Sequence, residues 1–124
     1  MLIDENLTEL IIGKAMAVHS ALGPGLLESV YETCLAYELS QIGVTVERQK
    51  VLPVRYKDVA LDDGLRIDMV VAGKVIVELK CVEKILPVHE AQLYTYLKLS
   101  GTKVGLLINF YTRHLRDGIK RIVL

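Results

Sequence analysis

Several things this chain has little of narrow its function before any motif is read. Only two cysteines occur, Cys34 and Cys81, far apart and each among apolar neighbours. That excludes a disulfide framework; the pair reads as buried reduced thiols, with a single disulfide or a reactive thiol as the alternatives. The three histidines, His19, His89 and His114, are scattered, so no His/Cys cluster argues for zinc. Net charge is absent too, with 15 Lys and Arg against 15 Asp and Glu. A protein that coats nucleic acid is usually basic, so composition gives that class no support. A compact enzyme whose basic residues gather near one cleft is still allowed. No segment nears the roughly 18 uninterrupted apolar residues of a membrane-spanning helix. The opening Met1-Leu2-Ile3-Asp4-Glu5 has early acids and no basic stretch, so no secretory signal is expected and the predicted location is cytoplasmic. Repeats, low-complexity runs and linkers are also missing.

What is present is a dense apolar chain of 124 residues, 52% hydrophobic and 24% charged. That size holds one well-packed core and not two, so residues 1–124 are expected to form a single domain. Leu7, Leu10, Ile11, Ala15, Val18 and Leu22 recur at helical spacing over residues 5–22. Gly23-Pro24-Gly25 interrupts them, and a second helix is predicted from about Leu26 to Ile42, closed by Gly43. From Val44 the period becomes two. One long or two broken strands are expected up to about Lys57, with Pro53 at an edge or bulge. Asp62-Asp63-Gly64 reads as a turn, followed by strands at about 65–71 and 75–81. A third helix is predicted over about 88–100, then an apolar strand from Val104 to Phe110 and a short last strand at Ile119–Val123. The order ααβββαβ(β) describes an α/β (α+β) fold with a mixed central sheet flanked by helices.

The stretch Ile67 to Lys80 carries the chemistry. Each of its two apolar strands holds one carboxylate, Asp68 and Glu78, and an ionised carboxylate in such a setting is costly without a cation or several donors. Residues two apart on a strand share a face, so Glu78 and Lys80 point together, and Asp68 shares its face with Arg66 and Val70. Convergence of the two acids depends on the loop. With Ala72-Gly73-Lys74 as a three-residue loop, Val71 pairs with Val75 and Asp68 lies opposite Glu78, the Cβ atoms about 4.5–5.5 Å apart. A loop one residue longer or shorter would send them to opposite faces. Two hard oxygen ligands with room for water and phosphate oxygens favour Mg²⁺ or Mn²⁺. Such an ion can lower the pKa of a bound water, and Lys80 could orient that water or steady developing negative charge. Glu28 is the natural further ligand if the second helix packs its first turn near the sheet. Val-Glu-Leu-Lys also suits any half-exposed strand, so a structural reading stands beside the metal site.

An acid in one strand, a short hairpin and Glu-x-Lys in the next resembles the PD-(D/E)XK nuclease superfamily. Gly25-Leu26-Leu27-Glu28-Ser29-Val30-Tyr31 fits the Gly-x-x-Glu-x-x-Tyr signature of its GxxExxY branch, and Gln92-Leu93-Tyr94-Thr95-Tyr96 fits the Gln-x-x-x-Tyr motif of its exonuclease-like members. The likeness runs from about Leu7 to Leu124. It implies a restriction-endonuclease-like core in which Asp68 and Glu78 hold Mg²⁺ (or Mn²⁺), Lys80 assists the water and Glu28 is the additional acid and ligand. Gln92 joins the catalytic set, while Tyr96, Tyr31 and Arg66 are the expected substrate contacts. Ile67 stands where the superfamily's name has a proline.

The residues leave plainer roles open. Glu28 also suits a helix-dipole acid, Gln92 a surface amide and Tyr96 a packing aromatic, while Tyr31 lies on the apolar stripe of its helix and is expected in the core with its hydroxyl directed to the site. The basic Arg113-His114-Leu115-Arg116 and Lys120-Arg121 could be a backbone contact or a solvated edge. The expected activity is metal-dependent hydrolysis of a nucleic-acid phosphodiester, DNA first. The alternative is a non-catalytic nucleic-acid-binding or protein-interaction module that keeps the fold. So small a chain would need a homodimer or protein partner to grip a duplex, and no membrane role is expected.

Overall fold

The computed structural model describes residues 4–124, apart from the side chains of Asp62 and Asp63; the extreme N-terminus, read above as lacking a signal, lies outside the described residues. Three helices, α1 (Glu5–Leu22), α2 (Glu28–Gln41) and α3 (Pro87–Ser100), pack on strands β1 (Val46–Tyr56), β2 (Val59–Val71), β3 (Val75–Lys80), β4 (Val104–Asn109) and β5 (Ile119–Val123). The strands lie in that order in one sheet, with β3 and β4 parallel and the other neighbours antiparallel. The expected mixed sheet and element order hold.

Alternation along the strands divides the core into two layers. Met69, Val71, Val75, Val77 and Leu79 face one side, where Ile11, Ala15 and Val18 of α1 and Tyr31, Leu35 and Leu39 of α2 cover them. Val70, Ile76 and Leu107 face the other, beneath Leu93, Tyr96 and Leu97 of α3. Covered on both faces, β3 and β4 are the continuous apolar runs that a central parallel pair requires. Parallel pairing needs a crossover, and α3 supplies it. That helix starts cleanly: Pro87 takes its first turn, where no N–H is needed, and the Leu86 N–H donates to His89 Nδ1 (2.9 Å). Gly105 lets it settle close, since a Cβ there would lie 2.9 Å from Leu93 Cδ1.

The β1–β2 hairpin corrects one expectation. Its turn is at Lys57–Asp58, with Tyr56 paired to Val59 and Lys57 left-handed at φ 54°. Asp62-Asp63-Gly64 is no turn but the wide side of a bulge: pairing steps from Leu52↔Leu65 to Val54↔Leu61, so these three residues oppose Pro53 alone. Proline cannot donate to the ladder, which is why the irregularity falls there. Gly64 passes so near β1 that a Cβ would come within 2.5 Å of the Leu52 carbonyl oxygen. A short 3-10 helix, Leu115–Gly118, precedes β5 and carried no signal in the sequence reading.

Candidate metal centre

Asp68 and Glu78 meet where β2 and β3 part. The Ala72-Gly73-Lys74 loop has three residues, Ala72 and Gly73 take positive φ (53° and 66°), and pairing runs Val71↔Val75, Val70↔Ile76, Met69↔Val77 before it stops. One step further, side chains replace the main-chain ladder. The Asp68 N–H donates to Glu78 Oε1 (3.1 Å), and the Leu79 N–H donates to Asp68 Oδ2 (2.9 Å). Carboxylate oxygens are stronger acceptors than carbonyls, so the strands can open without leaving these donors unpaired. The odd-length loop therefore has the consequence that parity requires.

Burial then controls the electrostatics. Glu78 is only 5% exposed. Burial first, and the Asp68 charge second, push its carboxyl from the usual 4.5 up to about 8, against the lowering effects of the Asp68 N–H and of Lys80. Two carboxylates thus lie side by side with too little compensation for both to ionise at neutral pH. A hard divalent cation is the group that removes that cost, and Mg²⁺ commonly uses one or two carboxylates with water and phosphate completing its shell. The oxygen donors fit. Among the described residues, however, no group of three or more His, Cys, Asp or Glu side chains is placed to hold a metal, so Glu28 is not gathered with the pair.

Lys80 is half-buried on the same strand face as Glu78, two residues on, and its charge is felt there. Its backbone is fixed by pairing with Asn109 and by the Phe110 N–H donating to its carbonyl (2.8 Å). Asn109, 2% exposed and unforeseen in the sequence, locks the chain beyond it: Oδ1 accepts from the Val82 N–H (3.1 Å) and Nδ2 donates to the Val82 carbonyl (2.8 Å).

From the α3 side, Tyr96 lies within electrostatic range of the pair. It is buried, and its phenol is raised by burial, then by the charges of Glu78 and Asp68. Gln92, one turn earlier, is exposed and makes no side-chain hydrogen bond within the described residues. From the α2 side, Glu28 is exposed and lies near Cys81, whose half-buried thiol is raised by burial and then by that carboxylate. Tyr31 is in the core, as its place on the apolar stripe implies, but its hydroxyl is not directed to substrate. Its ring is fully buried, stacked on Phe110 at 4.3 Å, and its hydroxyl donates to the Gly23 carbonyl (2.6 Å) while accepting from the Leu26 N–H (3.1 Å). Both hydroxyl roles are used by the Gly23-Pro24-Gly25 loop, so Tyr31 shapes that loop from the core. Arg66 is exposed and donates weakly to the Gln49 carbonyl (3.4 Å).

Two residues missed in the sequence complete the surroundings. Glu32, 6% exposed on α2, pairs with Arg48 (3.0 Å) and accepts a short hydrogen bond from Gln49 Nε2. That same nitrogen lies 3.4 Å from Asp68 Oδ1. Gln49 therefore bridges α2 to the acid pair, and it does so from a left-handed backbone at φ 50°, a strained conformation for a residue with a side chain. Helical spacing could have found Glu32, four residues after Glu28 on the same ridge. Nothing local marks Gln49, whose position opposite Asp68 follows from β1–β2 pairing alone.

No curated protein and no solved structure gives a significant match to the chain. The family profile of the PD-(D/E)XK nuclease superfamily does match, over residues 5–122, nearly the full length. PD-(D/E)XK nucleases generally use divalent metals, and the mixed sheet flanked by three helices is consistent with that family's fold. The chain belongs to the PD-(D/E)XK nuclease superfamily.

Proposed function

We propose that this protein is a divalent-metal-dependent nuclease of the GxxExxY branch, using Mg²⁺ or Mn²⁺ to hydrolyse phosphodiester bonds of nucleic acid, DNA first. The observation that carries the reading is the Asp68–Glu78 pair, in which burial first, and the Asp68 charge second, lift the Glu78 carboxyl to about 8. The carboxylates do accept main-chain N–H groups of the parting strands, but placing two of them so that one must stay protonated is a cost that neutral acceptors would avoid.

In this reading Asp68 and Glu78 hold the ion, which when bound supplies charge neutralisation and a more acidic water. Lys80, on the same strand face as Glu78, would offer its ammonium to the attacking water or to a phosphate oxygen. Tyr96 presents a phenol that stays protonated at neutral pH, a neutral donor toward the substrate phosphate. Gln92 extends the same helix face outward. Glu32 and Gln49 orient Asp68, in the manner of outer partners that hold a ligand in one rotamer. Glu28 stands at the rim beside Cys81, where it can act through water.

A non-catalytic module has one observation in its favour, the lack of a third carboxylate gathered among the described residues. Cleavage assays decide between the two. Linear, circular and single-stranded DNA, and RNA, are incubated with Mg²⁺ or Mn²⁺ and the wild type or Lys80→Ala. Metal-dependent cleavage lost in the variant is the expected result. Cleavage undiminished by Lys80→Ala would remove Lys80 from the chemistry, and no cleavage of any substrate would favour the module.

A further inference from the structure

A sizeable cavity lies away from the carboxylate pair. It is an open hollow of about 670 Å³ under the Arg113–Asp117 turn, walled by His19 and Pro24. Two neighbouring hollows extend it toward Glu28 and Cys81. One, lined by Pro24, Gly25, Tyr111 and Arg113, shares Pro24 and Arg113 with the first; the next shares Gly25 and Tyr111 and ends at Glu28 and Cys81. Cys81 directly follows Lys80. A line of adjoining hollows thus runs from Glu28 and Cys81, past Tyr111, to a basic turn.

Its floor is held rigidly while its side chains stay free. The Tyr111 N–H donates to Asn109 Oδ1 (3.1 Å), and the Thr112 carbonyl accepts from His19 Nε2 (2.8 Å), which fixes that nitrogen as the protonated one. The Gly23-Pro24-Gly25 wall is tied down by Tyr31. Against this fixed backbone the Tyr111 ring is 49% exposed and stacks on no other ring of the described residues. Arg113 and Arg116 are exposed and make no ion pair or hydrogen bond among those residues. Three basic side chains, Arg113, His114 and Arg116, line the far end against one carboxylate, Asp117; Glu28 is the acid at the near end. In a chain with no net charge, such clustering is local.

Free guanidinia beyond an unstacked, solvent-facing aromatic ring are the chemistry that binds single-stranded nucleic acid: phosphates pair with arginine, and a base covers the ring. The bases of a duplex are already stacked and cannot offer Tyr111 a face. We propose that this groove is the track of a single-stranded nucleic-acid segment running along the Glu28 side of the fold, with Tyr111 stacking a base and Arg113 and Arg116 holding phosphates. The proposal rests on the nuclease reading for what happens to the bound strand, but not for binding itself.

The test is fluorescence anisotropy of labelled oligothymidylate and oligouridylate, and of a duplex of equal length, without divalent cation. Tyr111→Ala is expected to weaken single-strand binding by roughly 5- to 100-fold, with Tyr111→Phe restoring it. Arg113→Ala with Arg116→Ala should flatten the slope of log affinity against log salt by about 1.4, the contribution of two single-strand phosphate contacts. Preference for either sugar supports the track provided that Tyr111→Ala removes it. Binding unaltered in these variants, or a duplex held more tightly and indifferent to Tyr111→Ala, overturns it. Because Tyr111 and both arginines are exposed, thermal melts of the variants should match wild type, which separates lost binding from lost folding. Mn²⁺ calorimetry and cleavage fail separately: an inert metal centre with Tyr111-dependent binding sinks the nuclease reading alone, and cleavage without such binding sinks the track alone.

Discussion

Replacing Glu78 by glutamine removes the group on which the electrostatics of the centre turn, and the consequences can be worked out before the experiment. In the metal-free wild type the Glu78 carboxyl sits at about 8. At pH 7 it therefore keeps its proton in about nine molecules of ten. A metal ion needs both carboxylates ionised, so binding at pH 7 should release close to one proton. Apparent Mn²⁺ affinity should rise by about tenfold per pH unit from pH 6 to 8 and level off above. Stability moves the other way. The folded carboxyl holds its proton more tightly than the unfolded one, so this contribution is complete below pH 4.5 and declines as pH rises toward about 8. The loss is at most about 1.4 kcal/mol per pH unit in that window. Saturating Mn²⁺ should abolish the decline, and Glu78→Gln, neutral at every pH, should abolish both the decline and the metal heat. Calorimetry in buffers of differing ionisation enthalpy counts the proton, and urea melts between pH 5 and 8 follow the stability. Mn²⁺ binding that releases no proton and is flat from pH 6 to 8 would refute the reasoning.

Other substitutions separate the supporting roles. Tyr31→Phe keeps the stack on Phe110 but leaves the Leu26 N–H and Gly23 carbonyl without their partner; a loss of about 1–2 kcal/mol in urea unfolding is expected, with Mn²⁺ affinity unchanged. Gln49→Gly should be more stable than Gln49→Ala by about 1 kcal/mol, since only glycine takes a φ near 50° without strain. Both should weaken Mn²⁺ binding, by roughly 10-fold or more, through loss of the bridge between Glu32 and Asp68. Gly64→Ala drives a Cβ against the Leu52 carbonyl and should cost on the order of 1–3 kcal/mol, whereas Gly73→Ala, with open space around it, should cost only the strain of its positive φ.

The parts legible in the sequence were those dictated by local periodicity. Both long helices, the apolar strands β3 and β4 and the crossover α3 follow from 3.6- and 2-residue spacing, and the pairing of Asp68 with Glu78 follows from loop parity. Where pairing between distant strands decides the outcome, the sequence misleads. Asp62-Asp63-Gly64 has turn chemistry, yet the hairpin reverses at Lys57–Asp58 and the acidic triplet becomes a bulge opposite Pro53. Gln49 could not be found because its relation to Asp68 exists only across β1 and β2. Tyr31 shows the limit of a motif read without geometry. The signature places it near the site, but its hydroxyl is spent on the loop that forms one wall of the groove. Glu28 and Glu32 lie on one ridge of α2, and the buried one of the two is the residue that connects to Asp68 through Gln49.

The most direct test of the metal centre is a crystal structure of the wild-type protein grown above pH 8 with Mn²⁺, recorded for anomalous scattering. The expected result is one peak between the carboxylates of Asp68 and Glu78, about 2 Å from an oxygen of each. A well-ordered site with no peak there, or a peak elsewhere on the protein alone, would contradict the assignment.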